Sequence, residues 1–418
     1  MLPPAWAVVA TLLAPLLGPH LRARARRGKE IAARLPERRG IDQAPRPDGP
    51  LVWMHAASVG ETMSVLPVIA RLAPATRVLV TTGTVASADL LAQRLPGMGI
   101  ESRVCHRFAP LDVPAWVGRF LDHWRPDAAV FVESELWPNL LRACRTRAVP
   151  AMLVNGRMSE GSFRAWRRVP GFARDLLGTF DRIWARGAED AERFHALGVT
   201  QAVDAGDLKF AAPPLPADPG ELARLRDCLG RRPVWLAAST HPGEEAAIAA
   251  VHHQLAARFP DLVTIIAPRH PDRGADIARE IGAPRRSQGA LPAPGLWLAD
   301  TLGEMGLWYR LARVVFVGRS LFPPGGGQNP LEPARLGCAI AAGPHTGNFA
   351  EHTALLESGD AMRRVADPAA LARFVAAMLD DDPAAQAMGA RASGLAARHA
   401  DLPDRVAAAV LDLAAGRR

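Results

Sequence analysis

From residue 51 onward, short apolar runs alternate with longer stretches in which apolar residues recur at helical spacing. The runs are almost continuously apolar, which is typical of strands in a parallel sheet covered by helices on both faces. Helical spacing is clearest in SADLLAQRL, VPAWVGRFLDHW and WPNLLRACRTR. The predicted strands are LVWMHA (51–56), RVLVTTG (77–83), AAVFVE (128–133), PAMLVN (150–155), RIWAR (182–186), PVWLAAST (233–240), LVTIIAPRH (262–270), GLWLAD (295–300), RVVFVGRS (313–320) and CAIAAGP (338–344).

A proline-rich stretch, FAAPPLPADPG at residues 210–220, interrupts this alternation, which then restarts. We therefore expect two Rossmann-like α/β domains, residues 36–210 and 211–418, behind an N-terminal segment of residues 1–35. The last helices are candidates to pack back on the N-terminal domain. Ligands of open parallel sheets bind beyond the carboxyl ends of the strands. Two such sheets facing each other across a cleft form the GT-B arrangement of many glycosyltransferases, which other two-Rossmann proteins share.

The N-terminal segment combines an apolar stretch with a basic one. Residues 1–19 carry no charged side chain, whereas residues 20–39 are densely basic. The apolar part is near the lower limit of about 17 residues for a membrane-spanning helix, and Pro15 and Pro19 weaken it. Because the basic residues follow it, the positive-inside rule places the bulk of the chain in the cytoplasm. We interpret the segment as a short anchor or a wedge in one leaflet, with arginines on anionic headgroups; the alternative is a buried first helix.

Net charge and cysteine usage narrow the class of protein. The formal charge is +8, which suits acidic partners such as lipid surfaces or phosphorylated substrates. Basic and aromatic residues do not interleave on a recognisable nucleic-acid module, so nucleic acid is disfavoured as a partner. The four cysteines are scattered and form no C-x-x-C pair, which indicates neither disulfides nor a zinc site and fits a reducing compartment.

Lysine and asparagine are rare enough to be informative. Of the 50 lysine and arginine residues, only Lys29 and Lys209 are lysines, and the sequence has only four asparagines. A lysine retained where arginine is otherwise preferred is a candidate functional residue, since an ammonium and a guanidinium differ in size and hydration. Lys209 precedes the linker, at the floor of the expected cleft. Lys209 and all four asparagines lie in or beside loops that follow predicted strands, which favours a functional interpretation of these loops. The asparagines are Asn139, Asn155, Asn329 and Asn348.

In the first half, the strand-end loops carry carboxylates. HAASVGE places Ser58 and Glu61 at the spacing of a helix capping box, so Glu61 either caps a helix or performs chemistry. ESELWPN carries Glu133 and Glu135, either as a solvated pair or with one carboxylate near the cleft. NGRMSEG offers Asn155 and Arg157 as polar groups that could hold a neighbouring loop or a substrate, and Pro138 suits the first turn of a helix.

In the second half, the strand-end loops suit an anion. Ser239, Thr240 and Gly243 are expected to present backbone amides at a helix start, and Arg269 matches phosphate oxygens bidentately. Gly303, Glu304 and Met305 are expected in a first helical turn, where free amides favour an anion. Thr301 and Glu304 again have capping-box spacing. The sequence DDDP at 380–383 is interpreted as a helix start and not as a metal motif.

The stretch GGGQNPLEPA, residues 325–334, is the richest in candidate chemistry. We expect Asn329 as N-cap, Pro330 as the first helical residue and Glu332 in the third position. A glycine run before a helix also permits close backbone approach to a nucleotide, and a carboxylate there accepts hydrogen bonds from ribose hydroxyls. A P-loop signature is absent from the sequence, and no G-x-G-x-x-G follows the first strand, so neither a P-loop ATPase nor nicotinamide binding is supported.

Taken together and in order, these motifs resemble one family. They are similar to motifs of the 3-deoxy-D-manno-octulosonic acid (Kdo) transferases of lipopolysaccharide synthesis, over roughly residues 20–400. The motifs are HAASVGE, ESELWPN, LKF, PRH, GEM and GGGQNPLEPA, followed by GPHTGNFAE. The resemblance implies a GT-B fold and association with the cytoplasmic face of the inner membrane through the N-terminus. It also implies CMP-Kdo as donor, a lipid A precursor (lipid IVA) as acceptor, and inverting transfer without a metal or other cofactor.

The resemblance assigns roles to particular residues. Glu61 matches the general base that deprotonates the acceptor hydroxyl, and Glu133 and Lys209 match positions that stabilise the transition state. The substrate-contact candidates are Ser58, Gly60, Asn155 and Arg157, and the segments matching CMP-binding positions are Pro268 and Arg269, Gly303, Glu304 and Met305, and Asn329, Pro330, Leu331 and Glu332. We expect Ser58 and the loop amides to hold the helix start while Glu61 points into the cleft in the acceptor-bound state.

Two departures and two alternatives accompany the resemblance. Many members of the family have histidine where Gln328 stands and serine where Asp207 stands; Asp207 is expected to alter the environment of Lys209 and its donor contacts. One alternative is another GT-B enzyme that uses a UDP-sugar, either a transferase or an epimerase. The other is a non-catalytic, membrane-bound nucleotide-binding protein, which predicts that the change Glu61→Ala leaves activity in cells intact.

Overall fold

The structure, a computed structural model, describes residues 2–211 and 213–416. Contacts divide the chain into two compact units: unit 1 takes residues 1–212 and 399–418, and unit 2 takes residues 213–398. The strands are β1 Leu51–His55, β2 Arg77–Thr82, β3 Val104–Phe108, β4 Ala128–Val132, β5 Ala151–Gly156, β6 Arg182–Ala185, β7 Ala202–Asp204, β8 Val234–Thr240, β9 Val263–Pro268, β10 Gly295–Leu298, β11 Val314–Val317, β12 Ala339–Ala342 and β13 Met362–Arg364.

The helices cover the sheets and connect the strands. They are α1 Leu2–Arg26, α2 Val59–Leu72, α3 Val85–Met98, α4 Pro114–Trp124, α5 Pro138–Thr146, α6 Glu160–Arg167, α7 Pro170–Leu177, α8 Ala188–Ala196, α9 Pro219–Leu229, α10 Glu244–Ala256, α11 Gly274–Ile281, α12 Met305–Leu311, α13 Leu331–Arg335, α14 Ala350–Ser358, α15 Pro368–Asp380, α16 Asp382–Ala396 and α17 Leu402–Gly416. A short 3₁₀ turn over Leu208–Ala211 also belongs to unit 1. The predicted helix starts at Pro138 and in the DDDP stretch are confirmed.

Each unit contains one parallel sheet. In the described part of unit 1 the strand order is β3-β2-β1-β4-β5-β6-β7, and in unit 2 it is β10-β9-β8-β11-β12-β13. All pairings are parallel, so the predicted α/β architecture is confirmed. The strand order reverses between β1 and β4 in unit 1, and between β8 and β11 in unit 2. These two switch points are where a doubly wound sheet opens a crevice for ligands.

Strand β1 shows why the apolar runs form buried strands. Alternate side chains of a strand point to opposite faces of the sheet. Val52 and Met54 accordingly join a cluster with α2 and α17, whereas Leu51 and Trp53 join one with α4 and α5. The Trp53 ring centroid lies 4.9 Å from that of Phe120. All five β1 residues are buried, and burial of each large apolar side chain stabilises the fold by about 1.5–3 kcal/mol.

The N-terminal segment is a helix that runs through Pro15 and Pro19. By length and composition, Ala5–Arg26 is a candidate membrane span, and only 11% of its most apolar window is buried. Leu12, Leu13 and Leu16 are exposed, which argues against the alternative of a buried first helix. The helix nevertheless contacts unit 1, because the Trp6 indole Nε1 donates to Asp112 Oδ2 at 2.8 Å.

Candidate active site

The switch point of unit 1 lies between the loops that follow β1 and β4. In the first loop, Ser58 is the N-cap of α2, and its Oγ accepts the Glu61 N–H at 3.3 Å. The Glu61 carboxylate accepts the Ala57 N–H at 2.8 Å and the Ser58 hydroxyl at 2.8 Å. Glu61 therefore bonds to its own loop, as the capping interpretation predicts. Its orientation with an acceptor bound stays a prediction.

Capping and catalysis do not compete for the Glu61 carboxylate as fully as the spacing suggests. An ionised carboxylate has about four lone-pair sites, of which the loop occupies two. Burial raises the pKa of Glu61, and the charges of Glu135 and Glu133 raise it further, although the hydrogen bonds from Ser58 and Ala57 lower it. A carboxylate with a raised pKa accepts a proton more readily than an ordinary glutamate, which is the property a general base needs near neutral pH.

Glu133 and Lys209 form an ion pair at the same edge of the sheet. The Lys209 Nζ lies 2.7 Å from Glu133 Oε1, and the Glu133 side chain is only 13% exposed. Glu133 directly follows β4 with φ +57°, a conformation that is strained for a non-glycine residue. Its N–H donates to the Val154 carbonyl, and its carbonyl accepts the Arg157 N–H, so neighbouring backbone fixes this conformation.

Asn155 and Asp207 position Lys209 from two sides. The Asn155 Oδ1 accepts the Leu208 N–H at 2.9 Å, which ties the 3₁₀ turn to the end of β5. Asp207 Oδ1 accepts the backbone N–H of Lys209, also at 2.9 Å, so its contact is with the main chain, whereas the lysine ammonium pairs with Glu133. Asn155 is 2% exposed, and its Nδ2 has no hydrogen-bond partner among the described residues. Arg157 is exposed.

His55 and Glu135 form a second polar pair, whose connection the motifs did not reveal. Glu135 Oε2 lies 3.2 Å from His55 Nε2 and accepts the Trp137 Nε1–H at 2.6 Å. Burial raises the pKa of Glu135, but the contacts with His55 and Trp137 outweigh it and leave the pKa lowered. The pKa values of Glu61 and Glu135 therefore move in opposite directions, a separation typical of sites that perform acid–base chemistry.

In unit 2, Glu244 organises the switch point. Its buried carboxylate accepts four backbone N–H groups: those of His241 at 3.0 Å, Arg319 at 2.7 Å, Ser320 at 2.9 Å and Leu321 at 3.0 Å. It thus joins the loop after β8 to the loop after β11. Sequence reasoning missed this residue, because a glutamate in the first turn of a helix is ordinarily explained by the helix dipole.

Two amides of the glycine run are hydrogen-bonded within the protein. The Gly326 and Gly327 amides donate to the carbonyls of His345 and Arg319, so these two amides serve the protein and not an anion. Glycine is required by conformation: Gly326 has φ +112°, and a Cβ there would lie 2.5 Å from Asn348 Nδ2. The run therefore fixes the loop before α13, on which Asn348 also packs.

The helix after the glycine run begins later than predicted. Helix α13 starts at Leu331 with Pro330 as N-cap, so Asn329 is not the N-cap and Glu332 is in the second position. The reason is that Asn329 Oδ1 accepts the N–H of Leu331, two residues on, at 3.1 Å. Burial raises the pKa of Glu332, whose carboxylate also lies 3.5 Å from the hydroxyl of Tyr309, the only tyrosine in the sequence.

The segment of Gly303, Glu304 and Met305 also starts its helix late. Helix α12 begins at Met305, with Glu304 as N-cap and Gly303 outside the helix at φ +82°, so the predicted first turn is wrong for two of the three. The Glu304 carboxylate accepts from Arg286 at 2.8 Å and from the Thr301 hydroxyl. Thr301 therefore contacts Glu304 through its side chain without capping the helix.

Basic side chains gather at the carboxyl ends of β8, β9 and β11. Arg269 directly follows β9, and its N–H donates to the Thr240 carbonyl at 3.0 Å. Burial lowers the pKa of His241, and the neighbouring charges of Arg319 and His270 lower it further. His241 Nε2 lies 3.1 Å from Gln328 Nε2. This edge of unit 2 suits a phosphate. Among residues 2–211 and 213–416, no group of three or more potential metal ligands is found.

Comparisons with known proteins find relatives that match most of the chain. A family profile described as 3-deoxy-D-manno-octulosonic-acid transferase (kdotransferase) matches residues 33–212. A protein described as a probable mitochondrial 3-deoxy-D-manno-octulosonic acid transferase from Arabidopsis thaliana is 38% identical, covering 81% of this chain and 78% of its own length. The 3-deoxy-D-manno-octulosonic acid transferase of Bordetella pertussis is 34% identical, covering 96% of both chains.

Among solved structures, the chain shares its fold with an epimerase. UDP-GlcNAc 2-epimerase from Neisseria meningitidis matches with a TM-score of 0.56 at 12% identity, covering 87% of this chain and all of that one. Identity this low shows the fold alone.

Proposed function

The chain belongs to the Kdo transferase family of glycosyltransferases, and from that premise we propose that it transfers Kdo from CMP-Kdo to lipid IVA, a lipid A precursor, with inversion at the anomeric carbon. The observation that carries the proposal is the buried Glu61 with its raised pKa, beside Glu133 and Glu135 at the switch point of unit 1. Glu61 thus supplies a base at the edge of the sheet where ligands of this type of fold bind.

In the proposed reaction, Glu61 accepts the proton of the acceptor hydroxyl as its oxygen attacks the anomeric carbon of Kdo. The bond from that carbon to the phosphate breaks, and CMP leaves with the electron pair. A single displacement from the opposite face inverts the anomeric carbon. CMP is a good leaving group, so the step needs one base and no acid on the departing side.

Glu133 and Lys209 would balance the charges that develop. Positive charge grows at the anomeric carbon, and a carboxylate stabilises it; negative charge grows on the departing phosphate, and an ammonium stabilises that. The 2.7 Å ion pair supports these roles, because each group holds the other in place before the reaction. Asn155 positions the Lys209 turn, and Ser58, Gly60 and Arg157 are the proposed acceptor contacts.

Unit 2 would hold the nucleotide. We assign the phosphate to Arg269, which emerges next to Pro268, and the ribose hydroxyls to the Glu332 carboxylate. The electrostatic effect of Arg269 on Glu332 supports placing both on one ligand. The segment of residues 303–305 would contribute backbone contacts, since the Glu304 carboxylate is already bonded to Arg286. Asn329, Pro330 and Leu331 would shape the ribose contact.

Helix α1 would hold the protein at the cytoplasmic face of the inner membrane. Its exposed leucines supply apolar surface, and the arginines at its end, including Arg22, Arg26 and Arg27, suit anionic headgroups. Whether α1 spans the bilayer or lies in one leaflet, the positive-inside rule places unit 1 on the cytoplasmic side.

The test is a transfer assay. Purified protein, CMP-Kdo and tetra-acylated lipid IVA are combined, and products are weighed by mass spectrometry, with UDP-GlcNAc in a parallel arm. We expect Kdo addition with the natural chain. Glu61→Gln should abolish transfer while CMP binding by calorimetry persists, and Glu101→Gln, at an exposed glutamate of the same unit, should behave as the natural chain. Absence of a Kdo product, or turnover of UDP-GlcNAc alone, would refute the proposal.

A further inference from the structure

Unit 1 contains a cavity of about 350 Å³ between α1 and the loops at the carboxyl edge of the sheet. Resting on the proposed function, we propose that this cavity holds an acyl chain of the lipid acceptor, so that α1 forms one wall of the acceptor site. The volume lies within the range of about 300–1,000 Å³ that is usual for small-molecule sites. The apolar wall consists of Leu17 and Leu21 of α1, Pro110 and Leu111 after β3, and Trp137 and Leu140 at the start of α5.

Charged side chains also line the cavity: Arg24, Glu30 and Arg38, which pair with one another, and Asp112, which accepts from Trp6. His20 of α1 lines it as well.

A further polar end of the cavity reaches the candidate active site. His55, Ala57 and Glu135 line that end. The Ala57 N–H donates to the Glu61 carboxylate, so the cavity ends one hydrogen bond from the proposed base. A site with an apolar wall and a polar end beside a base suits an amphiphile, whose hydrocarbon lies along α1 and whose hydroxyl lies near Glu61.

The other end continues onto the exposed face of α1. Residues four apart lie above one another on a helix, so Leu13, Leu17 and Leu21 form one stripe. Along it, exposure falls from 47% at Leu13 to 3% at Leu21, with Leu17 half-buried between them. Trp137 is 44% exposed at the opposite rim. The stripe thus leads from surface suited to a bilayer into the cavity, and a chain still embedded in lipid could follow it.

The wall formed by α1 is held in place by buried polar contacts. Asp112 accepts Trp6 Nε1–H from α1 at 2.8 Å and the backbone N–H groups of Asn139 and Leu140 from α5. At the other end of the helix, Arg24 and Arg38 share the carboxylate of Glu30. Arg38 also donates to the carbonyl of Gly83 at 2.6 Å. The cavity is therefore preformed, which lowers the ordering that binding requires.

The expected loss of acceptor affinity on filling the cavity follows from the number of acyl-chain methylenes that the new side chain excludes. Each methylene removed from water contributes a factor of about four to binding. A side chain that excludes two methylenes should therefore weaken acceptor binding about tenfold or more. Leu17→Trp adds volume within the cavity, and Leu16→Trp makes the same change on the exposed face of α1, where Leu16 is 66% exposed.

The first experiment measures kinetics on vesicles that contain the acceptor. Leu17→Trp should raise KM for tetra-acylated lipid IVA about tenfold and leave kcat and KM for CMP-Kdo within about twofold. KM for a deacylated, soluble acceptor should not change. Leu16→Trp should match the natural chain, with equal sedimentation of all three proteins on vesicles. An unchanged acylated-acceptor KM in Leu17→Trp overturns the proposal, as does an equal rise in Leu16→Trp.

A second experiment does not depend on activity or on the variant's folding. Lipid IVA carrying a photoactivatable diazirine in one acyl chain is crosslinked to the natural full-length protein in vesicles, and labelled peptides are sequenced. We expect label within residues 109–111 and at Leu140, which is only 1% exposed and thus shielded from bulk lipid. Label confined to α1 overturns the proposal, as does cavity label from a photoactivatable phospholipid that the acceptor does not displace.

The two proposals fail in different ways. Cavity label without any Kdo product would reject the transferase function and leave the lipid assignment of the cavity standing. Kdo product without label at residues 109–111 or Leu140 would reject the cavity assignment alone.

Discussion

Replacing Glu244 with glutamine should loosen the loop after β11, which this carboxylate joins to the loop after β8. The carboxylate accepts two backbone N–H groups at each oxygen: His241 and Arg319 at Oε2, and Ser320 and Leu321 at Oε1. A glutamine oxygen can serve one pair only, because its NH₂ is a donor and would face the other two N–H groups.

The magnitude follows from these four contacts. The contacts of Ser320 and Leu321 are buried and those of His241 and Arg319 are partly buried. Two donors left unsatisfied here cost about 1–3 kcal/mol each, with the lower end applying to the partly buried pair, and the two that remain lose the charge of their acceptor, at about 0.5–1 kcal/mol each. Relaxation makes such terms less than additive, so we expect a total of about 3–6 kcal/mol. Because a domain is stable by only about 5–15 kcal/mol, the loop should open well before the rest of the unit.

Hydrogen exchange read by mass spectrometry measures this directly. In Glu244→Gln, protection of the amides of Arg319, Ser320 and Leu321 should fall about 10²- to 10⁴-fold, with a matching loss of CMP affinity. Glu280→Gln, at an exposed glutamate of α11, should leave both unchanged. Natural protection of residues 319–321 in Glu244→Gln would refute the view that this carboxylate organises the loop.

Three further predictions concern unit 1. Activity requires ionised Glu61, whose pKa is raised by burial and by the charge of Glu135. The acid limb of the pH–rate profile should therefore lie above the ordinary glutamate pKa of about 4.3. Glu135→Gln should move this limb to lower pH, and a move to higher pH would contradict the assignment. Because the pKa of Glu61 is higher in the folded protein than in the unfolded chain, the ionised side chain destabilises the fold at neutral pH. An amide can keep both bonds to the loop, so Glu61→Gln should raise the free energy of unfolding by about 0.5–2 kcal/mol and with it the Tm. A lower Tm would count against this reasoning. Lys209→Gln should lower kcat about 10²- to 10³-fold, and Lys29→Gln, at the only other lysine, should not; equal effects of the two changes would remove the basis for the role of Lys209.

The strands were predictable where both of their faces are buried. Every residue of β1 and β4 is buried, and their apolar runs mark them plainly in the sequence. Strand β3 was not predicted, because it lies at the edge of its sheet and its central residues are only half-buried, which leaves a mixed sequence. The three-residue edge strands β7 and β13 are too short to produce a pattern.

The motifs predicted which loops carry polar chemistry, but not how their side chains pair. Of the three capping-box spacings, only that of Ser58 and Glu61 caps its helix through the first residue, because local turns delay the other two helices. Even there the Glu61 carboxylate accepts the N–H of Ala57, whereas the reciprocal bond of a capping box would come from the N–H of Ser58. The rarity of lysine singled out Lys209, yet its pairing with Glu133 depends on the neighbouring strands β4 and β5 and on Asn155. Such contacts join residues that are distant in sequence, and no local spacing encodes them.

Because helix α17 is the last helix of the described chain and packs in unit 1, unit 1 cannot complete its core until synthesis has nearly ended. The helix belongs to unit 1, and its Val406 and Val410 lie in the same buried cluster as Val52, Met54 and side chains of α2, the helix that begins beside Glu61. A ribosome adds about 5–20 residues per second, so α2 emerges some tens of seconds before residues 402–416 exist to cover it. The unit that is begun first is therefore finished last. A nascent chain that stops short of α17 would contain every proposed catalytic group and still expose the apolar face of α2, which makes it a substrate for chaperones and proteases before it can become an enzyme.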